Sequence, residues 1–121
     1  AEGSATTIHA ETPRRTLDKM LSLASKAYGS VSEDQLRREI AATVDIIVQV
    51  SLVDNRHIVT AIEEISNTIA NQTGQIQTNT IFAFDRSYGA HVVKGRPSDS
   101  FIASLAAQGI PISQTWFQRG N

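Results

Sequence analysis

The spacing of apolar residues changes period near Val44, and this change constrains the fold more than any other feature of the chain. Before it, apolar positions recur every three or four residues. Leu17, Met20, Leu21 and Ala24 lie on one face of a helix that the pattern predicts over Pro13 to about Tyr28. Thr12 suits its N-cap, Pro13 its first position, and Gly29 stops it. Ser32 and Gln35 have the spacing of a capping box, with Glu33 and Asp34 in the electropositive first turn. Leu36 and Ile40 carry that second helix to about Thr43.

After Val44 the period is two. Ile46, Val48, Val50 and Leu52 alternate with Gln49 and Ser51, which predicts a half-buried strand with the four apolar residues inward. Asp54-Asn55 is a turn signal. His57 to Ser66 reads as a second strand and Gln75 to Phe84 as a third, with Ile76, Thr78, Thr80, Phe82 and Phe84 on one face. Asn67 to Gly74 is polar and reads as a loop. Three strands joined by short turns predict an antiparallel meander.

The flanks are less regular. Ala5 to Ala10 is short and rich in β-branched residues, and reads as the end of a strand. Gly89 to Ser98 carries no period. Phe101, Ile102 and Leu105 predict a last helix ending near Gly109, and Pro111 to Phe117 one short turn bearing Trp116. The expected class is α/β with α+β character, in a single domain over residues 1–121. Residues 1–45 hold the first helices, 46–85 a small antiparallel three-stranded sheet, and 86–121 the C-terminal helices.

Composition narrows the function. The 40% hydrophobic and 19% charged content suits a globular unit rather than a disordered tail. A net charge of -1, from 11 basic and 12 acidic residues, offers no overall cationic surface for a phosphate backbone, so a nucleic-acid partner is disfavoured. The absence of cysteine removes disulfides, thiolate metal sites and thiol catalysis together. No apolar run approaches the roughly 18 residues of a membrane span. The start at Ala1-Glu2-Gly3-Ser4, without a Met, reads as that of a processed or recombinant fragment.

Individual residues carry little decisive chemistry. A phosphate-binding loop of form G-x-x-x-x-G-K-[ST] is missing: Gly89 and Gly95 come closest, one residue too far apart, and Arg96-Pro97 stands where Lys and a hydroxyl residue are needed. In Gly3-Ser4-Ala5-Thr6-Thr7-Ile8-His9-Ala10, small and hydroxyl residues precede one histidine. His9 at a strand end could donate to a phosphate oxygen; the alternative is a histidine bonded to its own loop. His57 and His91 lack a second ligand at helical spacing, so zinc is not expected and both read as solvated. Glu63-Glu64, on a strand, point to opposite faces and cannot act on one atom; one could pair with a base. Arg14-Arg15 and Arg37-Arg38 each stand early in a helix, where the dipole slightly disfavours positive charge. They are candidates for reaching an anion or a neighbouring subunit, against the alternative of a solvated face. Asn71-Gln72-Thr73 matches a glycosylation sequon and is treated as chance.

Several segments together resemble one family, the C-terminal part of CpaF-like ATPases of the type II and type IV secretion superfamily. Gly3 to Ala10 resembles its histidine box. Pro13, Arg14 and Leu17 match the opening of the next helix. Arg37, Ile40, Ala41, Val44, Asp45, Ile47, Val48 and Gln49 resemble "R..IA.AVD.IVQ". Thr60, Ile62 and Glu64 match "T.I.E", and Phe82-Ala83-Phe84-Asp85 resembles "F.FD". The likeness covers about residues 3 to 85.

The resemblance implies the tail of a RecA-like core in a hexameric ring, cytoplasmic and peripheral to the inner membrane. There it would act with a secretion or pilus platform protein and use ATP and Mg to drive pilus assembly, secretion or conjugation. It implies that His9 senses the terminal phosphate, with Ser4, Thr6 and Thr7 shaping its strand. It also implies that the phosphate loop and acidic boxes lie upstream, so that no cofactor is expected on the fragment and no hydrolysis by it alone. Glu11 departs from the family, which often has Asn there, and a carboxylate so placed would repel phosphates unless it points away. The edge beside Ala5 to Ala10 is expected to be exposed, favouring self-association. The alternative function is a non-enzymatic interaction or oligomerisation module.

Overall fold

The computed structural model describes Gly3, residues 5–69 and residues 74–118. Two helices, α1 (Pro13–Ala27) and α2 (Glu33–Thr43), precede four strands: β1 (Ile46–Val53), β2 (Arg56–Ile69), β3 (Ile76–Asp85) and β4 (Ala90–Val93). A helix α3 (Asp99–Ala107) and one 3₁₀ turn (Gln114–Phe117) follow. The chain is thus of mixed helix and sheet, and the sheet is antiparallel in the order β1-β2-β3-β4. Among the described residues no helix is long and apolar enough to cross a membrane.

Local chemistry explains the helix starts. Thr12 Oγ1 accepts from Arg15 N–H at 3.1 Å, and Pro13 occupies the first turn, where no intrahelical donor is required. Ser32 Oγ accepts from Gln35 N–H at 3.2 Å. The predicted capping box is half made, because the Gln35 amide donates to Glu39 Oε1 instead of returning to Ser32. The β1–β2 turn is set by Asp54 and Asn55, with φ of 49° and 63°. Two successive left-handed residues match the right-handed twist of a two-residue hairpin, and after glycine Asn and Asp tolerate them best.

The core lies where α1 and α2 cross one end of the sheet. Leu17, Ile40 and Ala41 meet Ile47, Ile65 and Ile76, with Met20, Leu21 and Val44 packed around them. Burial of each large aliphatic side chain contributes about 1.5–3 kcal/mol.

The structure corrects the expectations in five places. Ala5 to Ala10 is not a strand; it is an irregular strap with no ladder partner among the described residues. Gln49 Nε2 donates to Ala10 O and Lys19 Nζ to His9 O, both at 2.9 Å. The expected exposed edge beside this segment therefore does not exist. Second, the sheet has four strands, not three. β4 arises within the stretch that showed no period, since four residues are too few to display one.

Third, β2 continues to Ile69, so Asn67 to Ile69 are strand rather than loop. Ser4 and residues 70–73 of that loop, with the sequon at Asn71 to Thr73, fall outside the described residues. Fourth, β1 faces the other way: Ile47, Gln49 and Val53 are buried, whereas Val48, Val50 and Leu52 are 53%, 49% and 59% exposed. The helices dock on the face that carries Ile47, Ile65 and Ile76, and that leaves Val48, Val50 and Leu52 bare. Fifth, the apolar face predicted for β3 is divided. Ile62 pairs with Phe82 and Glu63 with Thr80, so Ile81 is an extra bulged residue. It turns inward to 3% exposure and sends Phe82 to the opposite face.

Gly95 lies beside this bulge. A Cβ there would stand 2.8 Å from Thr80 O, so only glycine allows the chain after β4 to approach so closely. Gly89, with φ of 63°, closes the β3–β4 turn. The two glycines nearest in spacing to a phosphate loop thus have structural tasks.

Candidate functional site

The strap from Ala5 to Ala10 runs to the N-terminus of α1 and carries His9. Helical spacing lines up Arg15, Asp18 and Lys19 on the neighbouring face of α1. Together with His9, Ala10 and Glu11 they line an open hollow of about 510 Å³. Of the sequence-predicted residues, the structure brings His9 and Arg15 together here. Thr6 and Thr7 lie exposed further back along the strap.

Arg14 is half-buried at the start of α1 and does not line the hollow. Arg37 and Arg38 lie on α2. Arg37 is already engaged, at 3.5 Å from Glu33 and 3.4 Å from Asp34, in pairs of the exposed helical kind that contribute under about 1 kcal/mol. Arg38 is exposed.

The charge of the hollow is mixed. Arg15 and Lys19 would attract an anion, while Glu11 and Asp18 would repel it. Glu11, which departs from the histidine box that the strap resembles, lines the hollow beside His9. Lys19 Nζ is spent in part on the His9 carbonyl. These residues do not by themselves fit a triphosphate: two carboxylates oppose the two cations, and no glycine-lysine loop supplies a backbone cradle. Among the described residues no cluster of three or more His, Cys, Asp or Glu could hold a metal ion.

The sequence reading singled out neither Lys19 nor Asp18. Their signal was the i, i+3, i+4 spacing from Arg15, which becomes informative only once the strap is known to cross that face.

The other titratable candidates have structural partners. His91 is exposed but not merely solvated: its Nε2–H donates to Val59 O at 2.8 Å, and its ring stands edge-on to Phe84 at 5.2 Å. It thereby bridges β4 to β2 where β3 has left the ladder. His57 is exposed opposite Leu52.

Glu64 is 6% exposed and, among the described residues, pairs with no base. Its Oε1 accepts from Ser98 N–H at 2.8 Å and, more weakly, from Asn79 Nδ2 at 3.4 Å; its Oε2 accepts from Ser98 Oγ at 2.5 Å. Ser98 Oγ in turn accepts from Phe101 N–H at 3.2 Å and caps α3. In a capping box the residue at the third helical position returns a carboxylate to the cap N–H. Phe101 occupies that position here and cannot. Glu64 supplies the carboxylate from the sheet, 34 residues away.

Comparison of the chain with family models, curated proteins and solved structures gives no match.

Proposed function

We propose that this chain is the C-terminal part of a CpaF-like secretion ATPase, in which His9 reports the state of the terminal phosphate of ATP held by upstream segments. The observation that carries the reading is the ordered likeness from Gly3 to Asp85: a histidine box, the "R..IA.AVD.IVQ" passage, "T.I.E" and "F.FD" in sequence. The geometry supports it in one respect. His9 stands on the strap beside Arg15 and Lys19, so a phosphate brought by another segment would meet two cations there, set against the carboxylates of Glu11 and Asp18.

On this reading the intact protein forms a hexameric ring at the cytoplasmic face of the inner membrane. There it couples ATP and Mg turnover to a platform protein that moves a pilin, a secreted protein or a conjugation substrate. The isolated chain does not hydrolyse ATP, since the mixed charge of its hollow and the missing phosphate loop leave it no grip.

The test is twofold. The reading frame upstream of Gly3 is expected to encode G-x-x-x-x-G-K-[ST] roughly a hundred residues earlier, in the motif order of such NTPases. His9→Ala in that full-length protein is expected to lower turnover about 10²-fold or more, the scale of one lost electrostatic contact to a transition state. Calorimetry of the 121-residue chain with ATP should give no tight binding. A reading frame without the loop, or micromolar ATP affinity of the chain alone, would overturn the proposal. A second reading, a non-enzymatic oligomerisation module, is favoured by the bare edge of β1.

A further inference from the structure

We propose that two copies of this chain pair edge to edge through β1, as antiparallel strands about a two-fold axis at Gln49, so that two four-stranded sheets become one continuous sheet. This inference stands on the sheet alone and does not rest on the ATPase reading. The sheet has two edges, β1 and β4. β4 has only four residues. β1 has eight, IIVQVSLV, with no charge, proline or glycine among them. Natural sheets protect long edges with such residues or with bulges on the edge strand; β1 has neither.

Its outward hydrogen-bonding groups can be assigned. Asp45 O accepts from Ile65 N–H at 2.9 Å, so the main chain at Asp45 points toward β2. The ladder irregularity between Gln49 and Val50 adds a residue to β2, not to β1, because Gln49 faces Ala61 and Val50 faces Val59, leaving Thr60 extra. β1 therefore keeps its alternation. Its odd-numbered residues bond to β2, and Ile46, Val48, Val50 and Leu52 direct N–H and C=O outward. Among the described residues no backbone hydrogen bond meets them.

The occupant is a second copy because β1 complements itself. A two-fold axis at Gln49 sets Ile46 opposite the partner's Leu52 and Val48 opposite the partner's Val50. Four outward-pointing pairs, with two bonds each, give about eight hydrogen bonds across the axis. Every pair on the bare face joins two apolar side chains, which is the favourable cross-strand case. Asp45 falls opposite the partner's Val53, and Asp54 opposite the partner's Val44, so no two carboxylates face each other. The same register keeps both helical layers on one side of the joined sheet. The interface is isologous and closes at two copies.

Sedimentation equilibrium on the 121-residue chain, with amide exchange followed by NMR across a concentration series, tests this. The expected result is a concentration-dependent dimer in which the amides of Ile46, Val48, Val50 and Leu52 gain protection with concentration. Those of Ile47, Gln49, Ser51 and Val53 stay protected throughout. Val48→Pro removes one outward donor on an edge strand, where proline is tolerated, and is expected to abolish the dimer while circular dichroism stays unchanged. Val48→Lys provides the same test without a backbone change. Tyr88→Lys, in the β3–β4 turn and 80% exposed, is expected to leave the dimer intact. A monomer at every concentration would overturn the proposal. So would a dimer that survives both Val48 variants, or one whose even-numbered amides stay unprotected.

Discussion

Two buried polar side chains, Glu64 and Gln49, tether the two ends of the chain to the sheet, and they do so with very different strength. Glu64 receives two short hydrogen bonds from Ser98 and a weaker one from Asn79, all to carboxylate oxygens. Gln49 gives one neutral bond, to Ala10 O at 2.9 Å. Hydrogen bonds to an ionised group contribute about twice as much as neutral ones, and each donor left bare in a buried place adds a desolvation penalty. The C-terminal segment is therefore built into the fold through its helix cap. Among the described residues, the hydrogen bonds that hold the N-terminal strap carrying His9 come from Gln49 and from an exposed lysine. Segments that must respond to a ligand are drawn from such weakly held parts.

The largest expected effect breaks the strong tether. Glu64→Ala leaves Ser98 N–H without its acceptor and frees the hydroxyl that caps α3, so urea denaturation should show a loss of about 2–3 kcal/mol. Glu64→Gln keeps one acceptor and should lose roughly half of that. Ser98→Ala removes the same cap from the other side. The double variant Glu64→Ala/Ser98→Ala should therefore fall short of the sum by at least about 0.5 kcal/mol, because the two residues act on one network. Full additivity would mean that Glu64 does not work through the cap.

A smaller effect belongs to the weak tether. Gln49→Ala is expected to destabilise by about 1 kcal/mol, the ordinary net value of a neutral bond. It should raise the exchange rates of the strap amides more than those of β1 itself. An effect as large as that of Glu64→Ala would erase the contrast between the two ends.

The same contrast governs how much the sequence disclosed. Features set by neighbours in the chain were legible: the Thr12 and Ser32 caps, the Leu17–Met20–Leu21 stripe, and the Asp54-Asn55 turn. Features set by distant partners were not. β1 carries apolar residues on both faces, so its alternation predicted a strand but not which face the helices would choose. Nothing near Ile81 marks it as a bulge, because a bulge is a mismatch between two strands. Glu64 and Ser98 are far apart in the chain, and an N-cap serine without a carboxylate at the third helical position was the only hint that a sheet residue would complete it. In the candidate site, the resemblance to a histidine box singled out His9, and a place early in α1 singled out Arg15, but neither feature showed that the two would meet in one hollow. Glu11 was legible as a departure, but not as a lining residue. Asp18 and Lys19 became part of the hollow only because the strap crosses α1 instead of joining the sheet.

Asp85 offers the mildest test, because it repeats the bonding of Glu64 at the surface. Its carboxylate accepts from Ser87 Oγ at 2.5 Å, from Ser87 N–H at 2.9 Å and from Tyr88 N–H at 3.3 Å, forming the turn into β4. The Ser87 hydroxyl above all, working against the opposing effect of burial and helped by these backbone donors and by Lys94, holds its pKa below the ordinary 3.8. A depressed carboxylate pKa means that the unfolded chain binds the proton more readily, so stability contributed by Asp85 is present at neutral pH. It is lost as pH falls from the unfolded value through the lower folded one. Asp85→Ala should therefore be less stable than the parent at pH 7, by a margin that narrows once pH drops below about 4. Thermal unfolding of both proteins from pH 7 to pH 3 measures that margin. A gap that stays constant would assign the turn to backbone geometry alone, and a gap that widens toward acid would mean that folding raises the Asp85 pKa. The margin should also be smaller than that of Glu64→Ala at every pH, since solvent competes for each of the bonds that Asp85 accepts.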